Sequence, residues 1–293
     1  MHISVLPKEV IFYLNPKENE NFIDCTVDGG GHTLELLEKI RPKGKVLGID
    51  ADSELLKTFD QKLKNQGLER RVSLVCDNFA NLKEIVKKEK FLKVAGILFD
   101  LGFSSWHLEN SGRGFTFKKQ EPLDMRYSPQ TSLTAEKILN FWSEPEIERI
   151  LREYGQEKFC RQIAVEIVRQ RKSNPVRTTS QLLTILKKAI PERFQHQRLH
   201  FATRTFQAMR IAVNDELGNL KKGLEAGTEI LDPGGRLIVI SFHSLEDKIV
   251  KNFFKEKENI LKTQTKKPII PSQKEIKINP RSRSSKLRAA IKI

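Results

Sequence analysis

Between residues 21 and 100, four short apolar, β-branched runs alternate with segments of helical spacing, and each run contains, ends in or leads into an aspartate. The runs are NFIDCTV (21–27), KVLGID (45–50), VSLVC (72–76) and VAGILFD (94–100); the aspartates are Asp24, Asp50, Asp77 and Asp100. The segments between them, 32–40, 53–64 and 82–90, repeat apolar residues three and four apart, as at Leu55, Leu56, Phe59 and Leu63. Strand–helix alternation with nearly continuous apolar strands predicts a parallel sheet, because only helices on both faces can bury such strands. In open sheets of this kind, ligands bind beyond the carboxyl ends of the strands. One acidic strand end is ordinarily a helix cap or a turn. Four of them, spaced 26, 27 and 23 residues apart, one per strand–helix unit, predict a shared ligand site.

After Asp100 the alternation stops. A Gly/Ser/Phe-rich stretch (101–131) leads into helical stripes at Ile147, Ile150, Leu151 and Tyr154, at Ile163, Ala164, Ile167 and Val168, and at Ala202, Phe206, Met209 and Val213. Strand character returns at RLIVISF (236–242), behind the turn Asp232-Pro233-Gly234-Gly235. The expected organisation is a discontinuous α/β core, 1–108 and 207–293, interrupted by an all-helical domain at 109–206. A helix over 245–254 and a last pair of strands are expected to complete the core. Ser244-Leu245-Glu246-Asp247 reads as a capping box for that helix, and His243, just beyond a core strand, is placed at the mouth of the crevice.

Charge is distributed unevenly. The 293 residues carry a net charge of +15. Residues 1–104 are balanced, 105–206 are +7, 207–247 are −3 and 248–293 are +11. Two basic blocks beside neutral sequence point to a polyanion, nucleic acid first. The cysteines Cys25, Cys76 and Cys160 lie far apart with no CxxC pair, which excludes a disulfide framework and a Cys-rich zinc site and fits the cytoplasm. No apolar run approaches the roughly 18 residues of a membrane span, and MHISVLPKEV lacks a signal-peptide layout. His196 and His200 have helical metal-pair spacing but no third ligand nearby, so no metal is expected.

The first strand–helix turn reads Asp24-Cys25-Thr26-Val27-Asp28-Gly29-Gly30-Gly31-His32. Three glycines allow backbone to pass close to a ligand at a helix N-terminus. The dinucleotide fingerprint G-x-G-x-x-G fails, because Leu34 stands where its last glycine belongs, and Asp24 and Asp28 would repel a pyrophosphate. A ligand with a cationic end and ribose hydroxyls suits the site better. S-adenosylmethionine meets that description, with its ribose at Asp50 and its adenine near Asp77–Phe79.

Longer motifs make the resemblance specific. DCTVDGGGHT (24–33), GID (48–50), DLGFSS (100–105), RGFTF (113–117), PLDMRY (122–127), ATRTFQAMRIAVNDEL (202–217), SFHSLED (241–247) and NPRSRSSKLR (279–288) occur in order over essentially the whole chain. In these the chain resembles the bacterial small-subunit rRNA (cytosine-N4)-methyltransferase family, MraW-like. The resemblance implies a Rossmann-like seven-stranded methyltransferase sheet, an inserted helical domain for substrate recognition, and S-adenosylmethionine as donor. It also implies methylation of the N4 amine of a cytidine in the decoding region of 16S rRNA, with rRNA or the small ribosomal subunit as partner. Carried over by motif, the donor site comprises Gly30, Gly31, His32, Asp50, Phe79, Asp100 and His107. Asp28 stands where the family more often has glycine, and His107 where glutamine is common.

The chemistry adds its own constraint. Methylation at cytosine C5 needs a cysteine nucleophile, and Cys25 and Cys76 are expected in buried strands and Cys160 in a helix. An exocyclic amine is a weak nucleophile, so an acceptor must hold an N–H and aim the lone pair. The amino-methyltransferase tetrapeptide Asp/Asn-Pro-Pro-aromatic is absent after the fourth strand, and Asp100-Leu101-Gly102-Phe103 takes its place. Asp100 is therefore the expected acceptor, with His243 beside the target base. Arg113 and Phe115 are assigned to RNA; Phe115 and Phe117 either stack a flipped base or anchor a core. Arg281, Arg283 and Arg288 are assigned to phosphates. The competing reading is a non-catalytic RNA-binding assembly factor that retains the fold, which calorimetric donor binding would separate from an enzyme; a DNA amino-methyltransferase is a weaker third.

Overall fold

The computed structural model describes residues 3–293. Two compact units are present, one running to Ser104 and resuming at Leu217–Ile293, the other spanning Ser105–Glu216. Breaks expected at 108/109 and 206/207 fall instead at 104/105 and 216/217. The second moves because Thr203–Asn214 is one continuous helix whose Phe206, Met209 and Val213 all enter the core of the second unit.

The first unit is built on seven strands: β1 (Asn21–Asp24), β2 (Val46–Asp50), β3 (Val72–Cys76), β4 (Val94–Asp100), β5 (Arg236–Ser241), β6 (Leu261–Thr263) and β7 (Lys286–Lys292). Their order is β3-β2-β1-β4-β5-β7-β6. The first five are parallel, and β7 runs antiparallel between β5 and β6. This is the Rossmann-like seven-stranded sheet expected. Alternate residues face opposite layers, as strand geometry requires. Ile23, Leu47, Ile97 and Leu237 join Leu82, Leu220 and Phe253 on one side; Phe22, Val46, Leu98 and Ile238 join Leu14, Leu36 and Phe59 on the other.

Register brings the acidic strand ends together. Asp24 lies level with Gly48 of β2 and Leu98 of β4, while Asp50 pairs with Cys76 and Asp100 with Ile240. The chain leaves β1 in one direction and β4 in the other, so the strand order reverses between them, which opens a crevice at their carboxyl ends. Edge position also corrects one expectation. Cys76 is exposed, because β3 is the outermost strand on its side, whereas Cys25 is buried.

The second unit is helical, with helices Ala135–Phe141, Glu144–Glu153, Cys160–Arg171, Thr179–Ala189 and Thr203–Asn214 around one apolar core. Its starts are locally encoded. Thr178 and Gln181 form a capping box, as do Ser143 and Glu146.

Candidate active site at the carboxyl edge of the sheet

The turn after β1 is held from three directions. Asp24 is buried; its Oδ2 accepts from Thr33 Oγ1 at 2.7 Å and its Oδ1 from the Thr26 N–H at 3.2 Å. Thr26 Oγ1 in turn accepts from the Asp100 N–H at 2.7 Å, joining the first turn to the end of β4. Asp28 sits in the left-handed region at φ 47°, a conformation aspartate tolerates, and its N–H donates to Asp50 Oδ2 at 2.8 Å. That is how an aspartate serves where glycine is usual.

Packing within the chain also requires the glycines. Gly30 adopts φ +74°, and a Cβ there would lie 1.8 Å from the Phe59 ring; at Gly31 a Cβ would lie 1.9 Å from Ser4 Oγ. The buried Phe59 ring excludes a side chain at Gly30, whereas at Gly31 a side chain would force the Ser4 hydroxyl to turn away. Helix Gly31–Lys39 begins at this loop.

His32, the second residue of that helix, places Nε2 3.4 Å from Asp100 Oδ2 without hydrogen-bond alignment. Burial pulls its pKa down, but Asp100, Asp24 and Glu35 more than compensate, and the net shift is upward. Burial likewise pushes the Asp24 carboxyl up, against the opposing effects of the Thr33 hydroxyl, His32 and the Thr26 N–H. His32 Nδ1 and Asp100 Oδ1 are buried with no hydrogen-bond partner. Buried polar atoms are rarely left so, and a bound polar group commonly completes them. Two carboxylates against one imidazole leave residual negative charge, which suits a cationic group.

Farther along the edge, Asp50 Oδ1 accepts from the Asp52 N–H at 2.9 Å, and Asp52 caps helix Ser53–Asn65. Asp77 Oδ1 accepts from the Asn78 N–H and Asn81 Nδ2. Phe79 is half-buried, with an edge against Phe99 at 5.4 Å. Asp24, His32 and Asp100 thus form one cluster and Asp50, Asp77 and Phe79 continue it along the strand ends. Thr26, Thr33, Asp52 and Ser4 were not singled out from the residues. Thr26 and Thr33 lie inside the DCTVDGGGHT motif, whereas Ser4 reaches the loop by a contact that no local pattern announces.

Burial pushes the Cys76 thiol pKa up, and Asp50, Asp52 and Asp77 add to it. A thiolate nucleophile is therefore disfavoured although the residue is exposed.

Other expected residues have structural partners. His243, not Ser244, is the N-cap of helix Ser244–Glu256; its Nδ1 accepts from the Glu246 N–H, and Glu246 Oε2 accepts from the N–H groups of His243 and Phe242. Arg288 is buried on β7 and donates from Nε to Asp247 Oδ1 at 2.6 Å. It is thus removed from the phosphate-contacting set, because a central strand pairs it with a helix residue. Arg281 and Arg283 are exposed on the turn Pro280–Ser284.

In the second unit, His107 packs among the rings of Trp106, Phe115 and Tyr127, with Phe115 stacked on Tyr127 at 5.5 Å. Of the two roles open to Phe115, core anchoring is the one these contacts describe. Arg113 donates to the carbonyls of Arg126 and Tyr127, and His196 and His200 lie outside any α-helix.

Comparison with known proteins identifies the family. The MraW methylase family model matches residues 1–293. The chain is similar to ribosomal RNA small subunit methyltransferase H of Clostridium botulinum (strain Kyoto / Type A2), 46% identical with 100% of this chain and 99% of that protein covered. It is 41% identical to the protein of that name from Clostridioides difficile (strain 630), with 100% and 99% covered. Among solved structures, an rRNA methylase from Streptococcus thermophilus is 12% identical at a TM-score of 0.49, covering 100% of this chain and 99% of that one. By its full-length match to the family model and its full-length relatives, the chain belongs to the MraW methylase family.

Proposed function

We propose that this chain is an S-adenosylmethionine-dependent methyltransferase acting on small-subunit rRNA, with the N4 amine of a cytidine in the decoding region of 16S rRNA as acceptor. The observation that carries the reading is the Asp24–His32–Asp100 cluster, whose buried, unpartnered Asp100 Oδ1 and His32 Nδ1 lie at the switch point of the sheet. The names of the full-length relatives supply the RNA.

The residues fit the donor. The acidic cluster suits its cationic end, Asp50 its ribose hydroxyls, and Phe79 with Asp77 its adenine. When bound, S-adenosylmethionine supplies an electrophilic methyl group. Asp100 Oδ1 accepts an N–H of the amine and aims its lone pair, and alignment of that kind lowers the barrier substantially. His32, its proton affinity raised by the neighbouring carboxylates, faces the opposite oxygen of Asp100 at 3.4 Å and favours its ionised form. His243 orients the helix behind the crevice, and the exposed Arg281 and Arg283 meet phosphates.

Two substitutions test the assignment. Asp50→Ala should weaken donor binding by about 1.5–3 kcal/mol in calorimetry while the chain stays folded. Asp100→Asn should cut turnover far more than donor affinity; an equal fall in both would make Asp100 a donor ligand only. Mapping N4-methylcytidine in 16S rRNA with and without the protein tests the acceptor, and no difference would defeat it.

A further inference from the structure

The second unit carries an aromatic and cationic surface that the proposed chemistry does not use. Phe194, in the short turn Glu192–Phe194, has Lys158 Nζ and the Arg193 guanidinium each 5.0 Å from its ring centre, and Phe159 lies 5.0 Å away, ring to ring. Next along the chain, residues 196–200 are all exposed, including Arg198, Leu199 and His200. The His200 ring is stacked on Phe117 at 4.4 Å and 13°, and on Phe201 at 4.4 Å and 27°. Burial and the nearby Lys187 lower the His200 pKa, so the stack is uncharged at neutral pH.

The charges here are unbalanced. Among the described residues, Lys158, Arg193 and Arg198 form no ion pair, whereas Arg149, Arg152 and Arg169 of the same unit are each matched to a glutamate within one helix. Glu192 is the single acid between Pro191 and Arg204. Two cations set against one ring, neither of them ion-paired, leave local positive charge that favours an anionic ligand. Rings interleaved with unpaired cations are what an unpaired nucleic-acid strand requires: cations track phosphates, and aromatic faces stack bases of any sequence.

We infer that Lys158, Arg193 and Arg198, with the Phe117–His200–Phe201 stack, form a docking surface for single-stranded RNA. The inference rests on rRNA being the substrate, and it assigns the contact to residues that hold the strand without touching the reacting atoms. Base stacking on the Phe201 end contributes affinity without sequence choice.

The experiment measures binding of a fluorescent single-stranded fragment of 16S rRNA across a salt series, using the full chain. In Lys158→Gln/Arg193→Gln/Arg198→Gln, each lost phosphate contact should reduce the slope of log K against log salt by about 0.7, roughly 2 in all. Affinity at 0.1 M salt should fall on the order of 100-fold. Phe201→Leu keeps the apolar contact with the core and should lower affinity about 5- to 20-fold at an unchanged salt slope. An equal loss of charge elsewhere on the unit, Lys137→Gln/Lys172→Gln/Arg177→Gln, should alter the slope by less than half as much. A wild-type slope in the first triple variant, or an equal change in the second, overturns the surface while leaving the rRNA reading intact. Wild-type protein that binds no fragment of 16S rRNA overturns the reading on which the surface rests.

Discussion

His32 is pulled in opposite directions, by burial toward neutrality and by three carboxylates toward the imidazolium, and the carboxylates win. A histidine whose folded pKa is raised contributes stability that is fully present below its unfolded value, about 6.5, and is lost as pH rises through the folded value. The nitrogen chemical shifts of His32 should therefore titrate above the range of an ordinary histidine. In Asp100→Asn the midpoint should drop, because the largest opposing influence is gone. A midpoint that does not move would mean that the 3.4 Å approach of the two side chains has no electrostatic consequence. The four strand-end aspartates were legible because each closes a local pattern of apolar strand and helical spacing. The tightness around Gly30 and Gly31 was not, since the atoms that crowd them belong to Phe59 and Ser4, which sit at unrelated points in the sequence.

Helix Ser244–Glu256 is fixed at its start by His243 and along its first turn by Asp247, which accepts from Lys286 at 3.2 Å as well as from Arg288. Burial raises the Asp247 pKa, but Arg288 and Lys286 outweigh it and hold the carboxyl below its ordinary value. The stability this lends is present above the unfolded pKa, near 4, and is lost as pH falls through the folded one. Arg288→Ala, which leaves the Asp247 carboxylate with Lys286 as its remaining cation, should cost about 2 kcal/mol in urea unfolding at pH 7 and less at pH 3. An unchanged midpoint would show that Arg288 faces water after all. Asparagine caps helices at least as well as the imidazole does, so His243→Asn should retain both stability and turnover. If turnover collapses while the melting temperature holds, His243 takes part in the chemistry directly. Sequence pattern placed a capping box here but one residue late, because serine is the commoner cap and nothing local distinguishes it from the histidine before it. The partnership of Arg288 with Asp247 was hidden for a simpler reason: a basic, serine-rich stretch reads as a surface tail until β7 is seen to lie between β5 and β6.

At the scale of the molecule, the crevice at the carboxyl ends of the strands belongs to one unit and most of the helical core to the other. Donor at 100 times its dissociation constant should add about 2.7 kcal/mol to the first unit. Hydrogen exchange should then slow in β1, β2 and β4 while the slowest amides of Thr179–Ala189 are unaffected; equal slowing in both would reveal a single cooperative body. Discontinuity also sets an order of assembly during synthesis. The second unit is one unbroken stretch, Ser105–Glu216, and can complete its core as soon as it emerges. The first cannot, since β4 waits for β5, and β5 for a strand that comes later still. At about 5–20 residues per second, the roughly 135 residues from Asp100 to Arg236 take about 7–27 s to appear. For that interval the newborn chain presents β4, among the most apolar of its strands, as an unpaired edge. Each ribosome making this protein therefore carries an adhesive half-sheet, and the yield of folded enzyme depends on how well the cell shields it.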